Sequence, residues 1–183
     1  MSLGDLRVAV IGGGIGGMAA AVACALRGAQ VQVFEQAPAL EEVGAGLQIS
    51  ANGQVVLRAL GIDPDPLGYG AGGTLMCDGP SGRTVALLPP PDAGATRYMH
   101  RADLLAALVA RAEEVGVEIV LGRVVTPGTV QADLIIAADG GQSLWRSHVD
   151  GPVEPAFAGQ VAWRALVPCD PAVKTGQAAR LAI

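Results

Sequence analysis

Leu6-Arg7-Val8-Ala9-Val10-Ile11-Gly12-Gly13-Gly14-Ile15-Gly16-Gly17 is the stretch on which the fold turns. Its first half is a short apolar run rich in β-branched residues, the pattern of a parallel strand buried on both faces. Its second half spaces glycines as G-x-G-x-x-G. Gly12 permits a tight turn, Gly14 lets backbone approach a pyrophosphate, and Gly17 lets the next helix pack closely on the strand. Met18 to Arg27 is rich in small residues and reads as that helix, with Gly28 as its stop. Gln30 to Phe34 reads as a second strand, closed by Glu35 eighteen residues beyond Gly17.

Strand, glycine turn, helix and strand together predict a Rossmann-like β-α-β unit. In that reading Gly12, Gly14, Ile15 and Gly17 carry the phosphates, because a helix N-terminus offers unbonded N–H groups and a partial positive charge. Glu35, with Gln36 beside it, stands where a carboxylate can accept hydrogen bonds from ribose hydroxyls. The bland alternative, a glycine-rich turn with Glu35 as a solvated strand end, leaves the glycine spacing without a cause. The motif does not separate NAD from FAD, but a carboxylate at residue 35 disfavours the 2′-phosphate of NADP.

Working outward, residues 36–50 read as a loop around Pro38, Gly44 and Gly46, and Asn52–Leu60 as a helix stopped by Gly61. Thr74–Cys77 and Arg83–Leu88 pair as strands around Gly79–Gly82. Arg101–Val115 has apolar residues at helical spacing, and Val117–Leu121, Asp133–Ala138 and Gln160–Val167 are strand-like. Strands alternating with helices predict a doubly wound α/β sheet.

Composition narrows the function classes. Just over half of the 183 residues are hydrophobic, enough for a core, and the net charge is −5. No cluster of Lys or Arg is present, which argues against nucleic acid and against an anionic membrane surface. Val8–Leu26 carries no charge and has the length of a membrane span or signal segment. Five glycines between Gly12 and Gly17 split it into two unlike halves, so a soluble, cytoplasmic protein is expected. Cys24, Cys77 and Cys169 are far apart and lack metal-ligand spacing; they read as small buried hydrophobes.

Four later segments resemble the FAD-dependent aromatic-ring hydroxylases, the family containing salicylate and p-hydroxybenzoate hydroxylases. Gly44–Asn52 (GAGLQISAN) is similar to the family's loop and helix start beside the flavin ring, which implies Gly46 and Leu47 as cofactor contacts. His100–Leu104 (HRADL) is similar to a helix start whose arginine, here Arg101, reaches the FAD. Ala138–Arg146 (ADGGQSLWR) is similar to the Asp-Gly-x-x-Ser-x-x-Arg motif, which implies Asp139, Gly140 and Arg146 as residues serving FAD and the nicotinamide. Gly159–Arg164 (GQVAWR) resembles the strand that leads toward the substrate domain. Each has a bland reading as well: Asp103 as a helix cap, Asp139-Gly140 as a turn pair, Ser143 as an N-cap, Trp145 and Trp163 as core. Their order along the chain is what favours the family.

The resemblance implies a glutathione-reductase-type FAD-binding domain over residues 1–158 and, over 159–183, the start of a β-rich substrate domain. It implies FAD as cofactor, NADH or NADPH as co-substrate, and a small aromatic acid or phenol plus O2 as reactants, with a homodimer as the candidate assembly. No acid–base catalyst is assigned; Gln48 occupies the position where some relatives carry a histidine. Two departures stand out: a downstream Gly-Asp-Ala motif has no match after Arg164, and the stretch between Leu121 and Ala132 is shorter than the family's. The expectation is therefore part of a longer enzyme. Other FAD oxidoreductases (an epoxidase, halogenase or reductase) and a non-catalytic FAD-binding remnant are the rival readings.

Overall fold

The computed structural model describes residues 3–40, 46–70, 73–89, 96–152, 155–159, 161 and 179–182. Of the expected strand Gln160–Val167 only Val161 is described, and Trp163, Cys169 and most of the expected second-domain start at 159–183 lie outside these residues. The chain divides into two compact units, one of residues 1–43, 60–62 and 102–163, the other of residues 44–59, 63–101 and 164–183.

The first unit is built on the opening motif. Strand β1 (Arg7–Ile11), helix α1 (Ile15–Ala25) and strand β2 (Gln30–Phe34) form the expected β-α-β unit. β1 and β2 pair in parallel, from Arg7 opposite Gln30 to Ile11 opposite Phe34. β8 (Glu118–Val120) adds in parallel to β2, and β9 (Leu134–Ala137) to the other side of β1, giving the order β8-β2-β1-β9. The central position of β1 explains its composition: Val8, Ala9, Val10 and Ile11 are all buried, as a strand covered on both faces requires. α1 begins at Ile15 and not at Met18, because its first turn is made by glycines, with the Met18 N–H donating to the Gly14 carbonyl at 2.9 Å. The uncharged stretch Val8–Leu26 is thus a strand, a turn and a helix. Among the described residues no helix is long and apolar enough to cross a membrane.

Helix α3 (Arg101–Glu114) buries Leu104, Leu105, Leu108 and Ala112, its apolar stripe at helical spacing. Its Arg111 guanidinium donates from Nε to the Leu60 carbonyl at 2.9 Å, tying residues 60–62 to this unit. The short connection after β8 is packed and closed: Val125 and Trp145 are buried with Ala9, Ile11 and Phe34, against Val130, Ala132 and Ile135. A five-residue helix, α4 (Arg146–Asp150), follows Trp145.

In the second unit, β3 (Gly46–Ile49), β7 (Arg97–His100) and β4 (Gly68–Gly70) form an antiparallel sheet with β7 in the middle. β3 corrects the reading of 36–50 as one loop: its partner lies some fifty residues downstream, with Gly46 opposite His100 and Ile49 opposite Arg97. No local pattern announces such a pairing. Helix α2 (Ala51–Ala59) follows, and β5 (Thr74–Cys77) and β6 (Thr84–Leu88) form the expected hairpin, joined by β10 (Ala179–Ala182).

Two neighbouring glycines of α1 are under opposite constraints. A Cβ on Gly17 would overlap the Gly12 carbonyl oxygen, whereas a Cβ on Gly16 would meet open space. Gly17→Ala should therefore destabilise the protein by about 1–3 kcal/mol through overpacking. Gly16→Ala should stabilise it by up to about 1 kcal/mol through helix propensity. Urea unfolding of both variants checks the opposite signs; equal shifts would contradict this account of the turn.

Candidate dinucleotide site

The parallel strands end together, and the backbone ladder runs one step past each end. Gly12 N–H donates to the Phe34 carbonyl at 2.8 Å, Ala138 N–H to Ile11 at 2.8 Å, and Glu35 N–H to Val120 at 2.9 Å. Arg123 N–H in turn donates to the Glu35 carbonyl at 2.9 Å. These bonds bring the ends of four strands to one edge, the edge at which open α/β sheets bind ligands. A cleft of about 400 Å³ opens there, between walls that include Gly12, Gly14, Glu35, Gln36, Asp139 and Gly140.

The three motif glycines do three separate jobs. Gly12 has φ +108°, and a Cβ there would collide with the Ala138 carbonyl, so only glycine fits. Gly17 is required by the Gly12 oxygen, as described. Gly14 differs: its φ of −72° and ψ of 178° suit any residue, and nothing lies within 4 Å of a Cβ there. The fold does not need a glycine at this position. α1 starts from Gly14 with no side-chain cap and no acidic residue in its first turn. Its leading N–H groups, from Ile15 onward, have no helical carbonyl to reach and are suited to an anion.

Glu35 closes the other side of the turn. One carboxylate oxygen accepts the Gly13 N–H at 2.6 Å and the other the Ala37 N–H at 2.8 Å. Each oxygen keeps lone-pair capacity for a ribose hydroxyl, since a carboxylate offers about four acceptor sites. Two backbone donors thus hold the carboxylate in place before any ligand arrives.

Asp139, just past the end of β9, organises the second wall. Its carboxylate accepts the Ser143 hydroxyl at 2.6 Å and the Leu144 N–H at 2.8 Å, with the Trp145 N–H at 3.3 Å. Burial alone would raise this carboxyl; the bonds from Ser143 and from the Trp145, Asp139 and Leu144 amides outweigh it and hold it below the usual carboxylate range. The Ser143 hydroxyl oxygen accepts the Arg146 N–H at 2.9 Å, and the Arg146 guanidinium donates to the Gly140 and Gly141 carbonyls at 3.2 and 3.0 Å. Arg146 therefore braces the turn, alongside a second hollow of about 280 Å³ that it lines with Asp139 and Gly140. Trp145 belongs to the core, its indole N–H donating to the Val125 carbonyl at 2.9 Å.

The remaining candidates form their own group in the second unit. Gly46 and Leu47 lie on β3 opposite His100 and Met99, and Arg101 follows β7 directly. Sequence reasoning missed several lining residues of the cleft: Phe34, Arg123, Val124, Val125 and Leu144. Arg123 carried a signal, a charged residue directly after a strand-like run, but its stretch was read only for its shortness. Among the described residues no group of three His, Cys, Asp or Glu side chains could hold a metal.

A lowered folded-state carboxyl contributes stability above its unfolded value, about pH 4, that is lost as pH falls through the folded value. Asp139→Asn should thus be less stable than the parent protein at pH 7, and the difference should shrink progressively below about pH 4. Urea unfolding between pH 7 and pH 3 checks this, and a difference independent of pH would contradict it.

The family described as an NAD(P)-binding Rossmann-like domain matches residues 10–40. The chain is 31% identical to 6-hydroxynicotinate 3-monooxygenase of Bordetella bronchiseptica, over 90% of this chain and 49% of that protein. It is 34% identical to an FAD-dependent monooxygenase of Beauveria bassiana, over 88% of this chain and 44% of that protein. The structure of tetrameric 2-methyl-3-hydroxypyridine-5-carboxylic acid oxygenase is similar with a TM-score of 0.66 at 30% identity, covering 76% of this chain and 40% of the oxygenase. The chain spans about half the length of the relatives it matches. Over about 90% of its length the chain is thus similar to about half of proteins named as monooxygenases, among them an FAD-dependent one.

Proposed function

We propose that this chain supplies the FAD-binding part of a flavin-dependent, NADH- or NADPH-consuming monooxygenase that hydroxylates a small aromatic acid or phenol with O2. The observation that carries the reading is Gly14: a missing side chain that the fold does not demand, at the uncapped N-terminus of α1, in a cleft shared with Glu35 and Asp139. The substrate class rests on relatives whose names specify compact hydroxypyridine carboxylic acids.

The residues present fit FAD. The Gly12–Gly17 turn and the leading amides of α1 would hold the pyrophosphate, and Glu35, flanked by Gln36, the adenosine ribose. Asp139 and Gly140 would border the cofactor from the opposite wall, with Arg146 fixing their turn. Gly46, Leu47 and Arg101 are assigned to the flavin end. Bound FAD would supply the redox and oxygen chemistry, and the chain's own part is binding, orientation and exclusion of water. The cytoplasm and a homodimeric assembly complete the proposal.

Gly14→Val tests it. The variant should fold with a stability within about 1 kcal/mol of the parent, the size of a helix-cap effect. It should lose FAD affinity by about a hundredfold or more, because the added isopropyl group occupies the space of the pyrophosphate. Visible absorbance of retained flavin after desalting, with thermal melts of both proteins, reads the two quantities. A parent protein that retains no flavin would contradict the proposal, as would a variant that binds it equally well.

A further inference from the structure

Arg123 is a cleft residue to which the nucleotide reading gives no role. Its guanidinium carbon sits 5.3 Å from the centroid of the buried Phe34 ring, a cation–π arrangement. Its backbone is fixed at the end of β2, through its N–H bond to the Glu35 carbonyl and that of Gly122 to Ala37, each 2.9 Å. Its side chain is exposed, and among the described residues no carboxylate pairs with it. Two apolar residues of the same cleft, Val124 and Leu144, are 61% and 54% exposed and offer flat contact area beside it.

We propose that Arg123, held over Phe34, is the stacking platform for the purine ring of the bound dinucleotide, with Val124 and Leu144 as its apolar rim. The inference rests on the FAD reading and adds the residue that grips the adenine end. If Glu35 takes the ribose, the base attached to that ribose lies within one glycosidic bond of it, and Arg123 is the residue bonded to the Glu35 backbone. A guanidinium is planar and weakly hydrated, so it can lie face to face with a heteroaromatic ring where an ammonium cannot. A 2′-phosphate on that ribose is a poorer partner for Arg123 than the ring, because it would meet the Glu35 carboxylate in the same cleft.

The test uses the full chain and three probes: FAD, ADP and 2′,5′-ADP. Arg123→Ala should weaken FAD and ADP by the same factor of about ten, the scale of one lost stacking contact. Arg123→Lys keeps the charge without the plane and should behave like alanine. The fluorescence of etheno-ADP, quenched on stacking, should be less quenched in both variants when saturated. Both variants should melt close to the parent, since the side chain is exposed. An Arg123→Lys variant that restores full affinity would overturn the inference, as would an alanine variant that binds ADP like the parent. So would tighter binding of 2′,5′-ADP than ADP by the parent, lost on Arg123→Ala, since Arg123 would then read a phosphate. If the parent binds neither FAD nor ADP, the function proposed above fails and takes this inference with it. If Gly14→Val abolishes binding while Arg123→Ala is silent, this inference alone fails.

Discussion

The contact between Gly17 and the carbonyl of Gly12 sets the position of everything around the cleft. It lets α1 start directly against the end of β1, closer than any side chain would allow. Gly12 accepts a φ of +108° to make that approach, and the Ala138 carbonyl crowds it from the neighbouring strand. With the helix start pinned to the sheet edge, its leading amides and partial positive charge point into the same space as the strand ends. The surrounding bonds then have fixed places to attach: Glu35 to the Gly13 amide, and Ala138 to Ile11.

The two acidic residues of the cleft illustrate how the same chemistry serves different ends. Glu35 is held by backbone donors on both oxygens yet retains acceptor capacity toward the cleft. Asp139 spends much of its capacity on the turn that follows it, gathering Ser143, Leu144 and Trp145. The bland reading of the Asp139–Arg146 segment holds, and it leaves the functional one open. Asp139 is a turn former and Trp145 a core residue, and that structural work presents Gly140 and the Asp139 carboxylate along the cleft wall.

What the sequence made legible follows from how local each constraint is. β1, α1, β2 and the glycine turn depend on neighbours within a few residues, so their periodicity and glycine spacing could be read directly, with the helix start displaced to Ile15. The hairpin β5–β6 was legible for the same reason, its turn lying between its strands. β3 was not, because Gly46–Ile49 becomes a strand only by pairing with Arg97–His100. Phe34, Arg123 and Leu144 escaped notice as cleft residues because the sheet order β8-β2-β1-β9, and not chain proximity, brings them together. Gly14 shows the reverse: sequence spacing marked it as a candidate ligand position, and the structure adds that the space around it is open.

The central claim is that a dinucleotide occupies the cleft at the carboxyl edge of the parallel sheet. Amide chemical-shift mapping of the isotope-labelled chain during titration with ADP tests it most directly. The account predicts saturable shifts concentrated at Gly13, Gly14, Ile15, Glu35, Arg123 and Gly140. Shifts absent at millimolar ADP, or centred on the β5–β6 hairpin instead, would contradict it.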